Sequence, residues 1–371
     1  MNSTVPPVFT RRTFIGQVSL ATAALWLPRR LRSAEPAPSR KLGIALLGLG
    51  SYATHQLAPA LQQTKCCRLA GVITGTPTKA QQWQAQYKLP AKNVYSYETM
   101  DRIADNPDID IVYVVTPPGT HRDFVVRAAG AGKHIISEKP MAVSVRECDE
   151  MIAACRAAKK KLSIGYRLQF EPHHIGMERL AHDPAFGPFT RLRGGFGFHM
   201  GGWAWRLDKK LAGGGPLPDV GLYVIQSACR AAGGVAPIAV TAHEEPKTRP
   251  ELFREVEETI RWKMEFRDGA ICDGFASYNE GANEFRAESA RNRWVELSPA
   301  FTYGPIEGRT SDGPMKLPQI NHQAAQMDDF ARCIVEGRDS PVPGEMGRRD
   351  IAIMEAIYQA ASTGQRVEVK V

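Results

Sequence analysis

The stretch LGIALLG at 42–48 runs straight into Gly48-Leu49-Gly50-Ser51-Tyr52-Ala53, and this junction limits the fold more than any other part of the chain. A short continuous apolar run suits a parallel strand covered on both faces. The G-x-G-x-x-A that follows opens a helix expected to reach about Gln63. Gly48 permits the tight turn, Gly50 lets the main chain approach a pyrophosphate, and Ala53 lets helix and strand pack closely. Glycine spacing alone is a weak sign. With a strand before it and a helix after it, the pattern reads as the start of a dinucleotide-binding domain.

The alternation continues. RLAGVIT (68–74), DIVYVVTPP (110–118), KHIISEKP (133–140) and LSIGY (162–166) read as buried strands. HRDFVVRAAGAG (121–132) and the segment 145–161 read as helices, the second ending in a solvated Lys159-Lys160-Lys161. This predicts a doubly wound parallel sheet over 41–165. An NAD site ordinarily carries Asp or Glu at the end of its second strand, for the ribose hydroxyls. Here that place holds Thr74-Gly75-Thr76, with Lys79 one turn on. No carboxylate repels a 2′-phosphate, two hydroxyls can donate to it and an ammonium can balance it, so NADP is favoured over NAD. Thr76 before Pro77 also reads as a helix cap, and the two roles are compatible.

Residues 1–40 read as a leader and linker. Thr10-Arg11-Arg12-Thr13-Phe14-Ile15-Gly16 follows the twin-arginine pattern, and the apolar run from Val18 to Leu27 is too short to span a membrane, which takes roughly 20 residues. That route carries folded proteins, so the twin-arginine export machinery is an expected partner and the periplasm the expected location. The net charge of +8 is mostly the leader: six arginines against Glu35 give +5, leaving +3 for the body. That balance, with no basic stripe interleaved with aromatics, excludes a nucleic-acid footprint. Seven scattered cysteines without a C-x-x-C pair suggest buried thiols rather than a zinc site or a disulfide framework. No metal is expected. His173-His174 reads as a surface or substrate-facing pair at a helix start.

With SEKP (137–140), IGYR (164–167) and WRLDKKLAGGGPLPDVGLY (205–223) in place, the body resembles the glucose–fructose oxidoreductase and inositol dehydrogenase family. The likeness is greatest to the exported glucose–fructose (aldose–aldose) branch. It implies an α/β Rossmann domain over 41–165, then an α+β substrate-binding and oligomerisation domain over 166–371 with a large, mostly antiparallel sheet. The strands expected there are 238–246, about 255–266, 270–278 and 292–299, followed by helices at 322–336 and 348–362 that are free to pack back on the first domain. The resemblance also implies tightly bound NADP, a homodimer or homotetramer formed through the second sheet, and cofactor contacts at Gly48, Gly50, Ser51, Tyr52, Ala53, Thr74, Gly75, Thr76, Lys79, Thr116, Pro117, His121, Glu138, Lys139 and Arg167.

Oxidising an alcohol takes a base at the hydroxyl and a hydride acceptor at the carbon. Asp219 and Tyr223, four apart on an expected helix, face one way. Lys139 ends a strand at the edge where such sheets bind ligands. We assign Tyr223 as proton acceptor, with the Lys139 ammonium favouring its phenolate form. Asp219 would bind the sugar and orient the pair. The Gly213-Gly214-Gly215 turn reads as a place where main chain nears a ligand. Many family members carry His at the Tyr223 position, and this departure favours the oxidoreductase branch. Arg167, Trp205, Arg206 and Tyr278 match positions that line the family's sugar pocket. The expected reaction is NADP-dependent: an aldose goes to its lactone and a second carbonyl sugar takes the hydride. Three other readings stay open: a sugar dehydrogenase with exchangeable NADP, an NAD-dependent glycosidase of the same fold, and a non-catalytic sugar-binding protein.

Overall fold

The computed structural model describes residues 40–371. The twin-arginine leader lies outside the described residues. In the nucleotide domain, six strands form one parallel sheet: β1 (Leu42–Leu47), β2 (Cys67–Ile73), β3 (Val94–Tyr95), β4 (Ile111–Val114), β5 (His134–Ser137) and β6 (Leu162–Ile164), in the order β3-β2-β1-β4-β5-β6. The order reverses between β1 and β4, so a crevice opens beyond their carboxyl ends, where doubly wound sheets take their ligands. The helix after β1 is not uniform. A π-helical segment (Ala53–Leu57) precedes α1 (Ala58–Leu61). The other helices of this layer are α2 (Pro77–Tyr87), α3 (His121–Gly130) and α4 (Val145–Ala157).

The second sheet has nine strands, and its centre is a strand absent from the sequence reading. After α5 (Pro172–His182), β7 (Phe189–Gly197) runs through FTRLRGGFG. It pairs parallel with β10 (Ile271–Ser277) and antiparallel with β11 (Ala282–Ser289). Its glycines disguise it, because glycine weakens a strand in isolation. In place they are required: a Cβ on Gly195 would lie 2.1 Å from the Phe275 ring, and one on Gly194 would lie 2.7 Å from Phe285. The full order is β14-β13-β12-β11-β7-β10-β9-β8-β15, where β8 is Ala239–Glu244, β9 is Thr259–Glu265, β12 is Trp294–Leu297, β13 is Gly308–Thr310, β14 is Gly313–Pro314 and β15 is Val367–Glu368. Every pairing except β7–β10 is antiparallel.

Between β7 and β8 lie α6 (Lys209–Ala212), a π-helical segment (Leu217–Gly221) and α7 (Leu222–Ala231). The last two join into one helix packed on β7, β10 and β11 of the second sheet, with Leu222, Val224, Ile225, Ala228 and Cys229 in the main core. Of the two closing helices, α8 (His322–Val335) packs back on the nucleotide domain: Met327, Phe330 and Ala331 share a core with Leu57, Cys66 and Ile111. Asp328 fixes it there by accepting from the Lys65 and Cys66 amides at 2.9 and 2.7 Å. α9 (Gly344–Thr363) begins four residues earlier than the sequence suggested and packs on α4 and β8. All seven cysteines are free and buried. Among the described residues no helix is long and apolar enough to cross a membrane, and no cluster of three or more His, Cys, Asp or Glu could hold a metal ion.

His173 and His174 correct an expectation. They are neither on the surface nor facing substrate, but almost fully buried at the start of α5. The His173 ring lies 2.8 Å from Glu171, and His174 Nε2 lies 2.9 Å from the Ala300 carbonyl. The α5 cap explains it, since Glu171 accepts from the His174 amide and turns this segment into the core. Burial pushes the His174 imidazole down to about 3, and burial beside Arg167 pushes His322 down to about 4. Both stay neutral in the fold while the unfolded chain takes up protons near pH 6.5. Stability is therefore full above that pH and falls on acidification, by roughly 1.4 kcal/mol per histidine per pH unit until the folded values are reached. Urea midpoints measured between pH 7 and pH 5 should drop accordingly. A flat profile would show that these imidazoles are not held neutral.

Candidate active site

A cleft of about 670 Å³, counted to its open mouth, lies at the carboxyl edge of the parallel sheet. Segments far apart in sequence line it, among them Tyr52 after the glycine turn, Glu138-Lys139-Pro140 after β5, and Trp205, Arg206, Asp219 and Tyr223 around the buried helix. Lys139 Nζ donates to the Asp219 carbonyl at 2.6 Å, stands 3.6 Å from its Oδ1, and lies 4.7 Å from the Tyr223 ring centroid. The three residues assigned to the chemistry thus meet on one wall. The ammonium is bonded to Asp219 rather than to the phenol and faces the Tyr223 ring.

Asp219 is the hub of this wall. Its Oδ2 accepts from Arg206 Nε at 2.8 Å and from the Tyr278 hydroxyl at 2.9 Å. Burial works to raise its carboxyl, but the Arg206 guanidinium and the Lys139 ammonium outweigh that and hold it below the ordinary carboxylate range. Asp219 is therefore an anion at neutral pH. Burial and the Asp219 charge push the Tyr278 phenol well up, which keeps it a donor. Tyr278 is fully buried, so it braces Asp219 from behind instead of lining the sugar pocket. Arg167 is likewise behind the wall and 2% exposed. Its guanidinium donates to the Phe301 and Thr302 carbonyls at 2.6 and 2.8 Å and faces the Tyr223 ring at 5.0 Å. Neither the pocket role nor the direct cofactor contact expected of Arg167 matches this position. Trp205 and Arg206 do line the cleft, with the Arg206 guanidinium 4.6 Å from the Trp205 ring.

The triple glycine also has a different use. Gly213 ends α6 in the left-handed region, at φ +82°, where a Cβ is strained. A Cβ on Gly214 would lie 1.8 Å from the Tyr358 hydroxyl, and one on Gly215 would lie 2.3 Å from the Glu257 carbonyl. The turn is packed beneath α9 and the Glu257 strand entry, and only Gly215 reaches the cleft. Glu257, buried, accepts from the Gly215 amide at 2.9 Å, the Leu217 amide at 3.1 Å and the Tyr358 hydroxyl at 2.8 Å. It caps the helix that carries Asp219 and Tyr223 by accepting from its first amides, and burial raises its carboxyl. No local sequence signal pointed to Glu257, because its partners are 40 and 101 residues away.

On the nucleotide side the residues fit a dinucleotide. Gly48 is left-handed at φ +98°, and a Cβ there would meet the Thr116 side chain at 2.9 Å. Nothing lies within 4 Å of a Cβ position on Gly50, so the turn offers open main chain. Ser51 is exposed and Ala53 buried against the sheet. At the end of β2, Gly75 and Thr76 are exposed, and the Thr76 side chain makes no capping bond, which leaves its hydroxyl for a ligand. Thr74 is buried, and its hydroxyl accepts from the Thr76 amide at 3.3 Å. Lys79 reaches back to the Leu49 carbonyl at 3.2 Å, beside the glycine turn. Thr116 lines the cleft, and so does Pro118 rather than Pro117. Glu138 lines it as well. It accepts from the Tyr113 hydroxyl at 2.6 Å, and burial raises its carboxyl. His121 does not reach the cleft. It is fully buried, with its ring nitrogens 2.7 Å from the Thr116 carbonyl and 3.1 Å from the Pro140 carbonyl, where it ties the two cleft loops together. Tyr303, on the loop after β12, also lines the cleft, and the sequence reading missed it.

Comparison with known proteins agrees with the two-domain fold. Residues 42–166 match the model for an oxidoreductase family with an NAD-binding Rossmann fold, and residues 176–294 match the GFO/IDH/MocA C-terminal domain. The crystal structure of aldose-aldose oxidoreductase from Caulobacter crescentus, complexed with glycerol, is 42% identical and superposes with a TM-score of 0.86 over 89% of this chain and 100% of that one. D-xylose 1-dehydrogenase [NADP(+)] of Haloarcula marismortui is 25% identical over 363 residues, 92% of this chain and 97% of that enzyme. A levoglucosan dehydrogenase structure in complex with NADH and levoglucosan shares the fold, with a TM-score of 0.73 and 21% identity over 90% of this chain and 100% of that one. Two matched domains, and a 42% identical structure with the same fold, place this protein in the GFO/IDH/MocA family of oxidoreductases.

Proposed function

We propose that this protein is an exported, NADP-dependent sugar oxidoreductase that keeps its cofactor, oxidises an aldose to its lactone and returns the hydride to a second carbonyl sugar. The observation that carries the reading is the meeting of Lys139, Asp219 and Tyr223 on one wall of the cleft at the switch point. The 42% identity to an aldose-aldose oxidoreductase supports two sugar substrates. Thr74, Gly75, Thr76 and Lys79, with no carboxylate among them, support NADP. Arg11-Arg12 in its twin-arginine setting supports export in the folded state, after loading in the cytoplasm. The exposed outer face of the nine-stranded sheet is the surface through which we expect a dimer or tetramer to form.

NADP, when bound, supplies the hydride acceptor for the first sugar and the donor for the second. The chain does the rest. Gly50 and Ser51 offer main-chain amides to the phosphates, with Lys79 close by, while the Gly48 amide donates to the Ile73 carbonyl and holds the turn on β2. Asp219, ionised and braced by Arg206 and Tyr278, accepts from sugar hydroxyls and fixes the ring. Tyr223 takes the proton from the reacting hydroxyl and gives it back to the second sugar's carbonyl oxygen, so no net proton is released over a cycle.

The test is direct. Protein purified without added nucleotide should show bound NADP(H). Adding glucose should raise the reduced-nicotinamide absorbance, and a second carbonyl sugar should discharge it, with parallel-line kinetics. A second reading, an NADP-dependent dehydrogenase with freely exchanging cofactor, is favoured by the Haloarcula relative. An apo protein that turns over only with added NADP would establish that reading and overturn ours.

A further inference from the structure

We infer that Tyr303 and Tyr52 form a clasp across the mouth of the cleft that slows release of the dinucleotide; this rests on the retained-cofactor reading above. The two rings meet with centroids 5.6 Å apart and planes tilted by 35°. Tyr52 directly follows the glycine turn of the nucleotide domain, and Tyr303 comes from the other sheet, on the loop joining β12 to β13. Both line the cleft, so their contact joins its two sides.

The Tyr303 loop is built to hold that ring in place. Arg167 grips it from below through the Phe301 and Thr302 carbonyls, at 2.6 and 2.8 Å. Because a guanidinium can only donate, its 3.2 Å contact makes His322 Nδ1 the acceptor. The His322 proton is then on Nε2, which donates to the Tyr303 carbonyl at 3.1 Å. Asn283 Oδ1 accepts from the Ala300 and Phe301 amides at 2.9 and 2.7 Å, and Gln319 brackets Ile306 with bonds of 2.6 and 3.1 Å. The main chain on both sides of residue 303 is thus pinned, yet Tyr303 as a whole residue is 52% exposed. Core packing does not account for its position. Its neighbours are the Tyr52 ring and, 4.7 Å from its own ring, the buried Arg167 guanidinium. Arg167, Asn283 and the α8 residue His322 hold the loop, and the Tyr52 ring meets Tyr303 from the glycine turn, as a closure across the cleft requires. Tyr52 occupies a variable position of the glycine turn, so its ring is free to make this contact.

The full-length protein, with Tyr303→Ala and Tyr303→Phe variants, should be purified without nucleotide. Bound nucleotide is measured in the denatured extract by absorbance and mass, and its release is timed with a nucleotide-degrading enzyme outside. Wild type and Tyr303→Phe should retain nucleotide alike, since the ring carries the contact. Tyr303→Ala should release it about tenfold faster, as loss of an aromatic pair and a cation–π contact implies. Because the loop is held by main-chain bonds, the alanine variant should melt close to wild type. If Tyr303→Ala retains nucleotide as wild type does, the clasp is wrong and the retained-cofactor reading stands. If wild type itself carries no nucleotide, that reading fails and takes the clasp with it.

Discussion

Tyr223→Phe should lower kcat by roughly 10²–10⁴-fold, the usual contribution of a positioned acid–base group, while leaving the protein folded and its nucleotide bound. The substitution removes one oxygen and keeps the ring. The ring's neighbours, Phe196 at 5.7 Å and Phe301 at 5.9 Å, lose nothing, and the Lys139 and Arg167 cations remain over an aromatic face. A fall in turnover with unchanged thermal stability and nucleotide content therefore reports the hydroxyl alone. Rapid mixing with glucose should show the nicotinamide absorbance rising slowly or not at all. If the variant turns over within tenfold of wild type, Tyr223 does not handle the proton, and Lys139 becomes the residue to examine.

Asp219→Ala should cost both activity and stability. The carboxylate is the only anion in ion-pair reach of Lys139 and Arg206 among the described residues, and it is the acceptor for the buried Tyr278 hydroxyl. Removing it leaves the Lys139 ammonium, whose side chain is 13% exposed, without a counter-charge. Breaking such a pair costs about 3 kcal/mol, at the low end of the range because Arg206 is partly open to water. Asp219→Asn keeps the shape and one acceptor, so it should lose less stability but a similar share of turnover. The pH dependence gives a further check. The Asp219 carboxyl is held below its ordinary value, so its contribution is present above the unfolded carboxyl range and is lost as pH falls through the folded value. The stability gap between wild type and Asp219→Asn should then be widest near neutrality and close on acidification. A gap that is constant with pH would mean that the carboxylate charge is not what stabilises the wall.

Much of the site was readable because it sits on motifs that are local in sequence. The glycine turn, EKP and the Asp219–Tyr223 spacing are each short, and each carries its chemistry in its own residues. What was misplaced is instructive in the same terms. Arg167 and Tyr278 follow pocket-like motifs, but each points its polar group inward, Arg167 to the carbonyls of the 301–302 segment and Tyr278 to Asp219. His121 looked like a cofactor contact and proves to be a tie between two loops. In every case the side chain's direction depends on partners more than fifteen residues distant, or on another element altogether, and periodicity carries no record of them. Tyr303 and Glu257 were missed for the same reason: nothing around either residue marks it, and its importance comes only from what the fold brings opposite.

By itself the sequence determined five of the six strands of the parallel sheet, the short edge strand β3 excepted, and the three residues that meet in the cleft. Strand runs, glycine turns and helical spacing are one-dimensional consequences of backbone geometry. The tertiary structure alone decided that glycine-rich β7 is the middle of the second sheet, because only the Phe275 and Phe285 rings laid over it make its missing side chains an advantage. It alone decided which cation serves which partner, with Lys139 on Asp219 and Arg167 beneath Tyr223 and Tyr303, since charge pairing depends on distances that only the packed chain sets.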